Sequence, residues 1–161
     1  MIGLEPSCLF SFRDEFTVML PGAEALAANS YLFEEFLAKE ADAGRLSLNL
    51  KRQEKTALLH GHCHQKAFDA MPAIRKVLGM VPGLKVETIE TSCCGMAGSF
   101  GYEAEHYDVS MKMAELALLP AIRSASSEAM IVADGTSCRH QISDGAGRGA
   151  LHVARVLESA L

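Results

Sequence analysis

The sequence predicts an α/β fold: a small, mostly parallel sheet with helical crossovers and cysteine loops at the carboxyl ends of its strands. Two observations predict it. Short apolar runs at 56–60, 84–89 and 129–133 alternate with helix-period segments, the pattern of a sheet crossed by helices. Each run is followed closely by a cysteine-bearing stretch, and open α/β sheets place their binding crevice at the carboxyl ends of strands. Cys63, Cys93, Cys94 and Cys138 are therefore expected to converge although they lie far apart in the chain.

Taken in order, residues 1–4 read as the tail of a strand. Pro6-Ser7-Cys8 follows, then a run over 9–18 with Leu9, Phe12 and Phe16 at helical spacing. A similar order of apolar end, small turn and Ser-Cys recurs at 131–141, a weak internal repeat. If the first copy is truncated, the chain is a piece of a longer protein. Pro21-Gly22 marks a turn. Ser30 is a candidate N-cap for a helix carrying Glu34 and Glu35 in its first turns and stopped by Gly44. Leu46, Leu48 and Leu50 alternate as a short extended piece. The charged connector 51–55 is the expected boundary between residues 1–50, the tail of a preceding unit with bridging helices, and 51–161, a cysteine-rich domain.

After the run at 56–60, Asp69 is placed to cap a helix with Pro72 in its first turn and Met71, Ile74 and Leu78 facing the core. Pro82-Gly83 turns the chain into the second strand. A long helix is expected over 105–124, with Val109, Met113, Leu116 and Ala117 on its buried face. Gly145, Gly147 and Gly149 mark a loop, and 151–161 closes the chain as a helix burying Val153, Val156 and Leu157.

At 161 residues, with 49% hydrophobic and 22% charged residues, the composition is that of an ordinary globular chain. The net charge of −5 without a Lys/Arg block excludes a nucleic-acid footprint. No apolar run is long enough for a transmembrane segment, and no signal peptide is visible. A cytoplasmic, reducing setting is expected, with peripheral attachment at the inner face of a membrane through a partner as the variant. There the five cysteines read as metal ligands or reactive thiols before disulfides.

The chemistry centres on Thr91-Ser92-Cys93-Cys94-Gly95-Met96-Ala97-Gly98-Ser99-Phe100-Gly101. Adjacent cysteines rarely bridge each other, but a tight turn can aim both thiols at one object. Glycines such as Gly95 and Gly98 let backbone N–H groups approach a thiolate or sulfide. Four thiolates on three loops suit a tetrahedral zinc or an iron–sulfur cluster. Zinc sites more often use short C-x-x-C knuckles, which are absent here. A third reading is thiol chemistry, with Cys63 activated by His62 or His64, or Cys93 and Cys94 acting as a disulfide reductase.

Three segments carry a family resemblance: Leu59-His60-Gly61-His62-Cys63-His64-Gln65-Lys66, Ser92-Cys93-Cys94-Gly95-Met96-Ala97-Gly98, and Thr136-Ser137-Cys138-Arg139-His140-Gln141. Together they resemble the cysteine-rich CCG domain of iron–sulfur oxidoreductases. The match is closest to the C-terminal iron–sulfur region of fused FAD-linked D-lactate or D-2-hydroxyglutarate dehydrogenase-type proteins. The iron–sulfur subunit of glycolate oxidase and the CCG-bearing subunit of heterodisulfide reductase are related. Leu4-Glu5-Pro6-Ser7-Cys8 resembles the end of a preceding CCG unit.

The resemblance implies an electron-transfer role. A cluster, most simply 4Fe-4S, would take electrons from FAD held in a missing region or partner subunit. It would pass them to an acceptor such as quinone or a carrier protein, after oxidation of a 2-hydroxy acid. Cys63, Cys93, Cys94 and Cys138 are the implied ligands, with Cys8, His62, His64 and His140 as further candidates. Gly95, Gly98 and Arg139 are cofactor-binding candidates, Arg139 offsetting the charge of a thiolate-bound cluster. Two departures stand out. Gln141 occupies the place of the last cysteine in the family's fuller Cys-x-x-Cys element, and the spacings between cysteines differ. A structural zinc module that docks subunits is the alternative.

On a strand, the alternation of His60, His62 and His64 would put all three opposite Cys63. Gly-x-Gly-x-Gly at 145–149 lacks dinucleotide spacing, so no flavin binding by this chain is expected.

Overall fold

A computed structural model describes residues 1–161. Three parallel strands form the main sheet: β3 (Thr56–Leu59), β4 (Lys85–Thr88) and β5 (Met130–Val132), in the order β4-β3-β5. A single parallel bridge from Val132 to Leu151 extends the β5 edge. A separate parallel pair joins β1 (Ile2–Gly3) to β2 (Tyr31–Leu32). The α/β class follows from the sequence, and no helix is long and apolar enough to cross a membrane.

The first crossover leaves β3 through the short helix α5 (Cys63–Ala67) and α6 (Met71–Leu78), then enters β4. Ile74, Val77 and Leu78 are fully buried on α6. They join Leu59, Val132 and the inner face of α10 (Val153–Ala160) in the largest core cluster. The second crossover runs from β4 through the cysteine loop and a 3-10 turn (Phe100–Tyr102) to α7 (Tyr107–Glu115) and α8 (Leu118–Ser124), then into β5. After β5 comes α9 (Thr136–Ala146). Residues of α8, β5 and α9 build a second core on the opposite face, and Cys94, Met96 and Cys138 belong to it. The sulfur loops are thus part of the hydrophobic interior.

The N-terminal region contributes α1 (Pro6–Ser11), α2 (Glu15–Met19), α3 (Glu24–Ala28) and α4 (Phe33–Asp42). Leu9, Phe10 and Leu32 form a small cluster with Ala70, which seats α1 on the α5–α6 turn. Ala38 of α4 lies in the main core.

Several local expectations are corrected. The helix expected over 105–124 is two helices, because a continuous one would drive the Pro120 ring into the carbonyl of Leu116. The break at Ala117 (φ −155°, ψ −42°) turns Leu116 outward, leaving it 80% exposed; Val109, near the start of α7, is 48% exposed. Ser110 and Ala114, then Leu118, Leu119 and Ile122, face inward instead. The run at 9–18 is interrupted at residues 12–14, where Arg13 pairs with Glu35 at 2.7 Å and lies over the Phe10 ring.

Ser30 does not cap α4. Its hydroxyl donates to the Leu26 carbonyl, and Glu35 instead accepts from the backbone N–H of Leu32 at 2.9 Å. Asp69 does not cap α6 either: it takes a left-handed turn (φ 55°), and Ala70 precedes the helix. Residues 46–50 join no sheet. Gly145 lies inside α9, whose end is marked by Gly147 at φ 63°.

Candidate metal centre

Each cysteine is placed by the element that follows a strand. Beyond Leu59 the chain keeps to the sheet for one more hydrogen bond, from His60 N–H to the Val132 carbonyl at 2.8 Å. It then turns into α5. The Nδ1 of His62 accepts from the His64 N–H (3.2 Å), while Gln65 Oε1 accepts from the His62 N–H (3.0 Å). This reciprocal cap satisfies N–H groups the helix cannot and fixes Cys63 at the first helical position. The expected strand-like alternation of the histidines is therefore wrong beyond His60, since the strand has ended.

The loop after β4 carries Cys93 and Cys94. Positive φ angles at Gly95 (93°), Ala97 (40°) and Gly98 (69°) fold it back on itself. Such a succession turns backbone N–H groups inward to form an anion-binding concavity. Gly95 N–H donates to Cys93 Sγ at 3.2 Å, Ala97 N–H also serves Cys93, and Met96 N–H serves Cys94. Lys66 on α5 pins the approach to the loop, donating to the carbonyls of Thr91 (2.6 Å) and Ser92 (2.8 Å). After β5, Gly135 leads into α9 and places Cys138 in its first turn. A Cβ at Gly135 would stand 2.5 Å from the His62 ring, so the loops after β3 and β5 meet only because this residue is glycine.

The four sulfurs form a chain from surface to interior. Cys63 and Cys93 are half-buried, and the Cys63 thiol points at the Ser92 carbonyl at 4.0 Å. Cys93 adjoins Cys94, and Cys94 and Cys138 are buried with sulfurs 3.3 Å apart. Proton sharing divides the four into two kinds. The Cys63 thiol, then the Cys94 thiol and the loop N–H groups hold Cys93 far below the usual thiol range. The Cys94 thiol, and secondarily His60, lower Cys138. Cys63 and Cys94 are pushed up, first by Cys93 and by Cys138 beside them.

The remaining candidates take different places. Burial lowers the pKa of His62, and its Nε2 faces Ser7 Oγ at 3.3 Å. His64 packs edge-on against His62 and Phe10, with Nδ1 buried and unpartnered. His140 is exposed and bonds Tyr102 through Nδ1 at 2.6 Å. The Arg139 guanidinium is taken up by the carbonyls of Ala133 and Asp134 and by Thr136 Oγ1. Cys8 is exposed on α1.

Two residues take a part in the site that the sequence does not assign them. Gln141, a departure from the fuller cysteine pattern, donates to the Cys94 carbonyl. His60 is fully buried, and a ring nitrogen lies within 4.8 Å of the Cys94 and Cys138 sulfurs. The signal for His60 is its position: a histidine ending an apolar strand, at the level where neighbouring strands release their cysteines.

The donor set fits a soft metal or an iron–sulfur centre: thiolates from three loops, backed by N–H groups. A tetrahedral zinc with Zn–S near 2.3 Å sets sulfurs about 3.8 Å apart. The 3.3 Å Cys94–Cys138 pair must therefore open slightly for one ion and further for a cluster.

Along 98% of its length the chain is 29% identical to a D-2-hydroxyglutarate dehydrogenase of Escherichia coli (strain K12), of which it covers 15%. Over its whole length it is 26% identical to one subunit of the anaerobic glycerol-3-phosphate dehydrogenase of the same organism, covering 40% of that subunit. A D-2-hydroxyglutarate dehydrogenase of Haemophilus influenzae is 24% identical over 88% of the chain. The chain thus spans well under half the length of these relatives. No family model matches it, and no solved structure matches it.

Proposed function

We propose that this chain is the iron–sulfur electron-transfer part of an FAD-linked oxidoreductase acting on a 2-hydroxy acid, of the CCG type. The observation that carries the reading is that four cysteines follow the ends of three neighbouring parallel strands, with the Cys94 and Cys138 sulfurs 3.3 Å apart and a loop N–H donating to Cys93. The relatives are dehydrogenases, which must dispose of electrons. Zinc is redox-inert, so a thiolate site serving that task calls for iron.

In this reading Cys63, Cys93, Cys94 and Cys138 hold a 4Fe-4S cluster as thiolates. When bound, such a cluster accepts and releases single electrons near the potential its surroundings set. The chain's own residues do the rest. The cysteines give up their thiol protons on loading, because thiolate is the ligand form. The N–H groups of Gly95, Met96 and Ala97 offset the negative charge. Gly98 gives the loop its second turn, and Arg139 adds a positive charge nearby. The half-buried Cys63–Cys93 side faces the partner, and Cys94 and Cys138 sit away from water. His62, His64 and His140 surround the set, and Cys8 belongs to an adjoining unit. FAD lies in another region or subunit, and quinone or a carrier protein is the acceptor. The assembly is placed on the cytoplasmic side, held peripherally by its partner.

One observation favours the zinc reading. His60, Cys94 and Cys138 form a compact buried trio, the size of a single-ion site. Anaerobic reconstitution with iron and sulfide separates the two. About four irons and four sulfides per chain with thiolate-to-iron absorption are expected; a colourless protein holding one zinc that iron cannot displace would overturn the cluster.

A further inference from the structure

His60 ends β3 with no exposed surface. Its Nδ1 lies 3.0 Å from Thr91 Oγ1, while Nε2 is buried and bonded to nothing. An orphaned buried ring nitrogen costs free energy unless a partner is supplied. Two sulfurs are placed to supply one: a His60 ring nitrogen lies within 4.8 Å of Cys94 and Cys138. With Nδ1 engaged by Thr91, Nε2 is the nitrogen left for them.

The protonation pattern follows from the other end of the chain of bonds. Lys66 Nζ donates to Thr91 Oγ1 at 3.2 Å, and an ammonium has donors only. The Thr91 hydroxyl accepts from Lys66, and the acceptor within reach of its own hydrogen is His60 Nδ1 at 3.0 Å. A neutral imidazole that accepts at Nδ1 carries its proton on Nε2. A protonated Nε2 cannot ligate a metal, but it can donate to a thiolate.

On the iron–sulfur reading above, we infer that His60 donates its Nε2–H to the Cys138 sulfur and thereby raises the reduction potential of the centre, with Lys66 and Thr91 fixing the tautomer. A hydrogen bond to a ligand sulfur withdraws charge and favours the reduced, more negative state. Cys138 is a suitable acceptor because, once it binds metal as a thiolate, its sulfur has lone pairs and no hydrogen of its own. His60 is then a tuning donor, and Lys66 and Thr91 are positioning residues.

The test uses the full chain reconstituted anaerobically with iron and sulfide. His60→Leu is expected to keep the iron and sulfide content of the wild type and to lower the midpoint potential. His60→Gln, which retains an N–H donor, should restore part of the shift, and Thr91→Val should lower the potential less than His60→Leu. With 15N-labelled histidine, pulsed EPR of the reduced wild type should show a weak nitrogen coupling transmitted through a hydrogen bond. A strong coupling of direct ligation, loss of iron in His60→Leu, or an unchanged potential would overturn the inference while leaving the cluster in place. Failure of the wild type itself to take up iron would overturn the functional reading and this inference with it. Should His60→Leu not fold, Thr91→Val and the coupling decide the matter alone.

Discussion

Gln141 is tied to the cysteine it would have accompanied as a ligand. Its Nε2 donates to the Cys94 carbonyl at 2.9 Å and also to Ser110, at 3.0 Å to Oγ and 3.2 Å to the carbonyl. The residue is 4% exposed. Where a fuller motif would place a further loop sulfur, this chain has a clamp that holds the Cys94 loop against α7.

Gln141→Leu should therefore loosen the loop without removing a sulfur. It strands the buried Cys94 carbonyl, and such a loss costs about 1–3 kcal/mol. The urea midpoint of the metal-free protein should fall accordingly, and reconstituted protein should release iron to a chelator faster than wild type. An unchanged midpoint would mean the clamp contributes nothing.

Gly95 and Gly98 predict different outcomes although both have positive φ. A Cβ at Gly95 would be driven into the Ser110 carbonyl oxygen, which is backbone and cannot step aside. At Gly98 nothing lies within 4 Å, so only the left-handed conformation is penalised, by about 1–2 kcal/mol. Gly98→Ala should fold and bind metal with a modest loss of stability. Gly95→Ala should displace the loop and abolish metal uptake. Equal behaviour in denaturation and metal-content measurements would count against this geometry.

What the sequence makes legible is the part that depends on order. Three apolar runs, each followed by cysteines, specify parallel strands and therefore a shared end for their loops, which is why Cys63, Cys93, Cys94 and Cys138 can be grouped. The histidine alternation misleads because the cap at His62 depends on Gln65 reaching back, a tertiary detail with no signature in that alternation. The split of α7 from α8 is written in Pro120, but the apolar period running through 105–124 points the other way. His60 is hidden for another reason: its role comes from the burial of Nε2 beside two sulfurs distant in sequence.

A buried polar group apart from the sulfurs predicts how stability depends on pH. Gln65 Nε2 donates to both Glu34 Oε1 and Asp134 Oδ2 at 2.7 Å, and Glu34 Oε2 has no partner. Burial first, and the charge of Asp134 second, raise Glu34 from 4.5 to about 8. The folded state thus keeps a proton that the unfolded chain releases near 4.5. Glu34 weighs least against folding below that pH, and stability falls as pH rises toward 8, at most by about 1.4 kcal/mol per pH unit. Glu34→Gln should flatten this part of the curve, measured by urea unfolding between pH 5 and 8. A wild-type curve rising across that window, with the variant parallel to it, would refute the assignment.

The fifth cysteine separates a four-sulfur site from a larger one. Cys8 follows a strand, as the other cysteines do, but β1 belongs to the separate pair with β2. Cys8 itself is exposed, and the hydrogen bonds that link the other sulfurs do not include it. Cys8→Ala should leave iron and sulfide content unchanged after reconstitution. Cys94→Ala should abolish uptake, because it removes the link between Cys93 and Cys138 and leaves a void in the second core. Cys63→Ala, at the half-buried end, should permit an incomplete centre that loses iron on exposure to air. Loss of iron in Cys8→Ala would extend the site to α1, whose Ser7 already meets His62.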